Sequence, residues 1–330
     1  MRKLVSRPIG MSIAESASTI SQVALQAKVK CQSSAGALTD AFYRTLRDEV
    51  TTGNPFLTHD EQALLRTHYP TIMAPGCYST ELAAAIYTAR RSPPCQAISG
   101  TIDPYVLDAG CAFGSESFLF ASLGARVLAV DVDPGHIAIA VKRQRYYEDH
   151  FGRTLDINFE VADLNTFDPN TSDLSLTWIA SVLAAIRDQN GLLRRIYDAT
   201  RTEGQIMITD MNLLNPLFLS REFLRRRRAK RSAPEFAREA GFWSMLTRGG
   251  RSGARFYPRG EGAPFDDVQF FTPRTISELL RASGFRPNSL TCSGFGLPML
   301  GRRAVTVERI LPRVLALRKL GYFYLASAIK

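Results

Sequence analysis

The chain has 330 residues, 45% hydrophobic and 22% charged, the balance of a globular protein. That excludes fibrous, collagen-like and wholly disordered classes, and no apolar run approaches the roughly 20 residues that span a bilayer. With 41 Lys+Arg against 31 Asp+Glu, the net charge of +10 predicts an anionic partner.

Cysteine usage narrows the class further. Cys31, Cys77, Cys95, Cys111 and Cys292 are odd in number and scattered, and His59, His68, His136 and His150 form no HxxxH or HExxH pattern. A disulfide framework and a structural zinc site are therefore not expected, no metal is predicted, and the expected compartment is the cytoplasm. Residues 1–38 hold Arg2, Lys3, Arg7, Lys28 and Lys30 but only Glu15 as an acid. They read as a flexible N-terminal extension. Their composition also resembles a transit peptide, so organellar import stays open.

Residues 39–100 read as a helical cap. Asp40 is placed to cap a helix carrying Phe42, Leu46 and Val50 at helical spacing. Thr58-His-Asp-Glu61 is a capping box ahead of Leu64 and Leu65, and Ser92-Pro-Pro-Cys95 is expected to break the regular structure. From 101 to 212 strands and helices alternate. The expected strands are Tyr105–Asp108, Arg126–Asp131, Ile157–Ala162, Asp173–Ile179 and Gln205–Thr209. Helices are expected over Ser115–Leu123, from Asp133-Pro134 onward, and over Leu192–Thr200. This order implies right-handed crossovers and a parallel sheet covered on both faces. Residues 213–271 form a basic helical insertion. Within it, 221–259 carries twelve Lys+Arg against three Asp+Glu, nearly the whole net charge of the protein. Residues 272–330 resume the core, with a helix opening at Thr272-Pro273 and strands over Ser289–Gly294 and Tyr322–Ile329.

In a doubly wound sheet the ligand sits beyond the carboxyl ends of the strands. The first strand ends in Asp108-Ala-Gly110-Cys-Ala-Phe-Gly114. A dinucleotide fingerprint counted from Gly110 needs glycine at 112 and 115, where Ala112 and Ser115 stand. NAD is disfavoured. The stretch instead resembles the first motif of class I S-adenosylmethionine-dependent methyltransferases, matched by Asp108, Gly110 and Gly114, with Ala112 departing at the middle glycine. Asp131, 21 residues after Gly110, falls where the family places the carboxylate that holds both ribose hydroxyls. Asp163, followed by Leu164, matches the acid that accepts from the adenine amino group.

The resemblance covers about 104–212 and 272–330. It implies S-adenosyl-L-methionine as cofactor and a Rossmann-like, mostly parallel α/β sheet of seven strands, with Tyr322–Ile329 reversed. Two other signatures are weighed and set aside. Pro93-Pro94-Cys95-Gln96 copies the nucleophile motif of cytosine-C5 methyltransferases but precedes Gly110, where it normally follows. Thr177-Trp178-Ile179-Ala180 lacks the Asn/Asp-Pro-Pro-aromatic signature of nucleobase amino-methyltransferases.

The expected reaction is methyl transfer to oxygen, nitrogen or sulfur of a small anionic metabolite. An RNA methyltransferase gripping RNA with the +9 segment and a non-catalytic partner subunit stay open as alternatives. Candidate acceptor contacts are Tyr69, Tyr78, Trp178, Asp210, Asn212 and Arg221, the last in a lid formed by the insertion. His59 and His68 read as surface residues of the cap, and no catalytic base is identifiable.

Overall fold

The computed structural model describes residues 37–69, 80–216, 254–256, 268–295, 303–311, 314 and 319–330. Helix α1 (residues 37–52) is already formed at residue 37, so Asp40 lies inside it rather than capping it. Its carboxylate instead accepts from Thr88 Oγ1 at 2.9 Å. Phe42, Leu46 and Val50 are fully buried, as one face of a 3.6-residue period requires. Helix α2 (His59–His68) starts at the expected capping box: the Thr58 hydroxyl accepts from Glu61 N–H, and the Glu61 carboxylate from Thr58 N–H. Helix α3 (Thr80–Ser99) runs straight through Pro93 and Pro94. The expected break at Ser92-Pro-Pro-Cys95 is therefore wrong. Proline's φ is helical, its cost is a missing N–H, and here buried Cys95 and Ile98 hold the helix's inner face.

The core follows as β1 (Tyr105–Ala109), α4 (Ser115–Ser122), β2 (Arg126–Asp131), α5 (Pro134–Phe151), β3 (Ile157–Val161), β4 (Leu174–Ala180), α6 (Gln189–Ala199) and β5 (Thr200–Met211). Asp133 caps α5, accepting from Gly135 and His136 N–H, with Pro134 in the first turn. Later come β6 (Ala254–Phe256), β7 (Val268–Phe270), α7 (Pro273–Ala282), β8 (Arg286–Ser293), α8 (Arg303–Ile310) and β9 (Phe323–Ile329). The main sheet has seven strands in the order β3-β2-β1-β4-β5-β9-β8. The first five run parallel, while β9 pairs antiparallel with both β5 and β8. The reversed strand expected at Tyr322–Ile329 is thus present. β6 and β7 make a separate two-stranded ribbon. Strands β1 and β4 are buried almost throughout, as a sheet covered on both faces demands.

A fully buried ion pair helps to clasp the helical cap to this core. Arg143 on α5 donates from Nε to Glu49 Oε1 at 2.8 Å and from Nη2 to Glu49 Oε2 at 2.6 Å, with both side chains fully buried. Tyr147 Oη and Asn54 Nδ2 donate to the same carboxylate. Arg143 Nη1 donates onward to the Phe113 carbonyl and to Ser115 Oγ, so the clasp reaches the turn after β1.

Candidate active site

The turn after β1 needs unusual backbone at three places. Gly110 has φ +80, and a Cβ there would meet the Val182 side chain at 2.7–2.9 Å, so nothing larger fits. Gly114, at φ +78, starts α4 with Phe159 and Phe118 against it. Between them Ala112 sits at φ +46, a left-handed conformation costly for a residue with a Cβ. Glycine at 112 should relieve about 1–2 kcal/mol of that strain, offset by roughly 0.5–1 kcal/mol of unfolded-chain entropy. Ala112→Gly is therefore expected to raise the urea midpoint slightly. A lowered midpoint would show that the turn is comfortable with alanine.

This turn and the carboxyl ends of β1 to β4 face α2 and α3 across a cavity of about 1440 Å³. Asp108, Gly110, Asp131, Asp163 and Leu164 all line it, and the fold thereby brings together five of the six residues expected at the cofactor. Gly114 is the exception: it shapes the turn from behind. Asp131 ends β2 with Oδ2 accepting from Ala112 N–H at 2.9 Å and Oδ1 from Asp133 N–H at 3.0 Å. The His136 ring stands 3.3 Å from Oδ1. Asp163 is exposed and accepts from Asn165 N–H and Nδ2 at 2.9 and 2.8 Å. Beside it Leu164 is buried.

Asp108 is buried and accepts from Ser117 Oγ at 2.6 Å. Burial, reinforced by the nearby Glu116 charge, pushes its carboxyl up to about 8. The folded protein then holds a proton there that the unfolded chain releases near pH 4, so stability falls as pH rises between about 4 and about 8. Asp108→Asn should be more stable than the parent, by a margin that widens with pH across that window in thermal melts. A margin independent of pH would mean that Asp108 is not protonated in the folded state.

Acceptor-side expectations fared unevenly. Tyr69 lines the cavity and its hydroxyl is hydrogen-bonded to Ser115 Oγ. Trp178 does not line it: the indole is fully buried, edge-on to Phe120 in the core. Asp210 is buried away from the cavity lining, its Oδ1 accepting from Met211 N–H and its strand neighbour being Tyr324. Asn212 is likewise structural, donating from Nδ2 to the Lys319 and Gly321 carbonyls at 2.7 and 2.9 Å. The segment leading into β9 thus binds Asn212, and β9 itself pairs with Asp210. Tyr78, Arg221 and nearly all of the basic insertion lie outside the described residues.

His59 is a surface residue as expected. His68 is not merely one: it lines the cavity, edge-on to Tyr69 and Phe113 with ring centroids at 4.8 and 4.9 Å. The residue is exposed overall, yet desolvation of its ring against these neighbours lowers it from the ordinary imidazole value. Cys95, the cysteine of the Pro-Pro-Cys-Gln sequence, is buried in the core and pushed up to about 11 by that burial, unsuited to act as a nucleophile.

Many cavity residues were missed, four of them near the acceptor half. Tyr87, Arg90 and Arg91 project from α3, and Glu116 from the first turn of α4. Arg91 Nε donates to Glu116 Oε1 at 2.9 Å. Burial pushes the Glu116 carboxyl up, but the Arg91 charge outweighs it and keeps the group below the usual range. The i, i+3, i+4 spacing of the three α3 residues was the available signal, hidden by reading the following prolines as a break.

Residues 103–252 match the family model described as a methyltransferase domain. The match falls on the segment that holds β1 to β5, in a sheet with the class I methyltransferase strand order. Among curated proteins, phosphoethanolamine N-methyltransferase 1 of Triticum aestivum is 26% identical over 106 residues, 32% of this chain and 20% of the relative. Phosphoethanolamine N-methyltransferase 3 of Arabidopsis thaliana is 27% identical over the same length and shares. The methyltransferase domain thus matches only about a fifth of these relatives' length. Among solved structures, an S-adenosylmethionine-dependent methyltransferase from Mesorhizobium loti is 17% identical, with 73% of this chain and 98% of that one covered at a TM-score of 0.45. The 1,6-didemethyltoxoflavin-N1-methyltransferase of Burkholderia thailandensis, solved with its substrate and S-adenosylhomocysteine, is 17% identical over 83% of this chain and 90% of that one, with a TM-score of 0.43.

Proposed function

We propose that the protein transfers a methyl group from S-adenosylmethionine to the oxygen, nitrogen or sulfur of a small anionic metabolite. The observation that carries this reading is Asp131, a carboxylate fixed by two backbone N–H groups at the end of β2 and lining the cavity. A carboxylate has about four lone-pair sites, so two bonds to backbone leave capacity for a pair of ribose hydroxyls. Asp163 takes the adenine amino group, and Leu164 offers an apolar wall.

S-adenosylmethionine, when bound, supplies a methyl group already activated by its sulfonium. What this chain contributes is alignment of the acceptor for in-line displacement. His68, unprotonated at neutral pH, is the side chain proposed to take a proton where the acceptor must lose one. Calorimetry with S-adenosylhomocysteine, followed by a screen of anionic metabolites with methyl-labelled cofactor, tests the reading. Absence of binding would favour a non-catalytic partner subunit. RNA binding that weakens steeply with salt would instead favour an RNA methyltransferase.

A further inference from the structure

The half of the cavity away from Asp131 is walled by α3 and the start of β9, and it carries a cation with no direct ion pair, though the Glu116 and Asp210 charges act on it. Arg91 is paired with Glu116, but no carboxylate among the described residues lies within ion-pair distance of Arg90. Arg90 is held nonetheless. Its Nε donates to Thr209 Oγ1 at 3.1 Å, and its guanidinium carbon sits 4.1 Å over the Phe323 ring. No partner within the described residues takes its two terminal nitrogens. Burial and the neighbouring Arg91 push the group down to about 9, which leaves it a cation at neutral pH.

Three residues earlier, on the same helical face, Tyr87 lines the same cavity. Its ring is fixed between Tyr43, at a centroid distance of 4.8 Å, and the Arg91 guanidinium, at 3.9 Å. Its buried hydroxyl has no hydrogen-bond partner. An orphaned buried hydroxyl is costly, and the half-buried guanidinium of Arg90 keeps two donor ends open to the cavity. A fork of guanidinium N–H donors and an O–H donor on one helical face match a planar or tetrahedral oxyanion.

We infer that Arg90 and Tyr87 form the acceptor's anion subsite, taking the carboxylate or phosphate of the metabolite while the cofactor occupies the Asp131 end. This deepens the methyl-transfer reading, which says what the anion belongs to, and moves the expected anion contact from Arg221 in the insertion to α3. Phe323 stacking and the Thr209 bond hold the fork before the ligand arrives, so little ordering is left for binding.

The test titrates inorganic phosphate and, separately, acetate into the full chain, with and without S-adenosylhomocysteine, and follows saturable thermal stabilisation. At least one anion should stabilise the parent, phosphate alone indicating a phosphoryl acceptor and acetate alone a carboxylate. Arg90→Gln should weaken that binding by about tenfold or more, since a charge-assisted fork is lost. Tyr87→Phe should weaken it about threefold to tenfold, and Arg90→Lys should fall between parent and Arg90→Gln. S-adenosylhomocysteine affinity should be unchanged in all three variants, which shows that they are folded. Equal anion binding by parent and Arg90→Gln, or none by the parent, overturns the subsite. Loss of S-adenosylhomocysteine binding by the parent itself would strike the methyl-transfer reading instead, and leaves the anion result to stand or fall separately.

Discussion

Glu49→Ala is expected to cost about 3–5 kcal/mol in urea denaturation at neutral pH, because it strands the fully buried Arg143 guanidinium without its carboxylate. Tyr147 and Asn54 lose their acceptor in the same step. Burial alone would raise Glu49, but the Arg143 charge and the hydrogen bonds from Arg143, Asn54 and Tyr147 outweigh it and lower the group below the usual range. A depressed carboxyl contributes stability above its unfolded pKa of about 4.3 and loses it as pH falls through the folded value. The gap between parent and variant should therefore be full at neutral pH and close in acid. Replacing both partners, Glu49→Leu with Arg143→Met, should recover much of the loss, since an apolar pair avoids the stranded charge. It should not recover the bond to the Phe113 carbonyl. A single-variant cost within about 1 kcal/mol of zero would mean that water reaches Arg143.

Asp131→Ala should weaken S-adenosylhomocysteine binding by about tenfold to a hundredfold in calorimetry. Two charge-assisted bonds to the ribose are at stake, each worth roughly 1.5–3 kcal/mol before water replaces them. Alanine also releases the Ala112 and Asp133 N–H groups, so part of the loss would come from the turn. Asp131→Asn separates the two contributions. Its amide oxygen can still accept from Ala112, which removes the charge while keeping one of the two backbone bonds; its NH2 cannot accept from Asp133 N–H. Unchanged affinity in both variants would reassign the ribose contact, with Asp133 next in line at the cavity wall.

Much of the Asp131 end of the cavity was legible because its residues report locally. Asp108, Asp131 and Asp163 each follow a short apolar strand, and glycines punctuate the turn after the first. The acceptor end was not legible in this way. Polar residues at the end of β5 were expected to face the cleft, but Asp210 pairs in register with Tyr324 and Asn212 binds the carbonyls of Lys319 and Gly321. Those partners lie more than a hundred residues downstream, and no local pattern announces their return. Glu49 and Arg143 are 94 residues apart and fail to signal for the same reason. The proline pair in α3 misled differently. Local rules give it a turn, while the buried face of the helix carries Arg90 and Tyr87 into the cavity just before it.

The placement of β9 between β5 and β8 sets a timetable for the nascent chain. Strands β1 to β5 can assemble as soon as Met211 has emerged, but β8 has no place in the sheet until Phe323–Ile329 is made. More than a hundred residues separate the end of β5 from the start of β9. At roughly 5–20 residues per second, synthesis of that stretch occupies roughly 5–20 s. For that interval the twelve-residue β5 presents an open hydrogen-bonding edge, the kind of surface through which unfinished chains pair with one another. Slower translation would prolong the hazard, and a chain interrupted before Phe323 would never escape it.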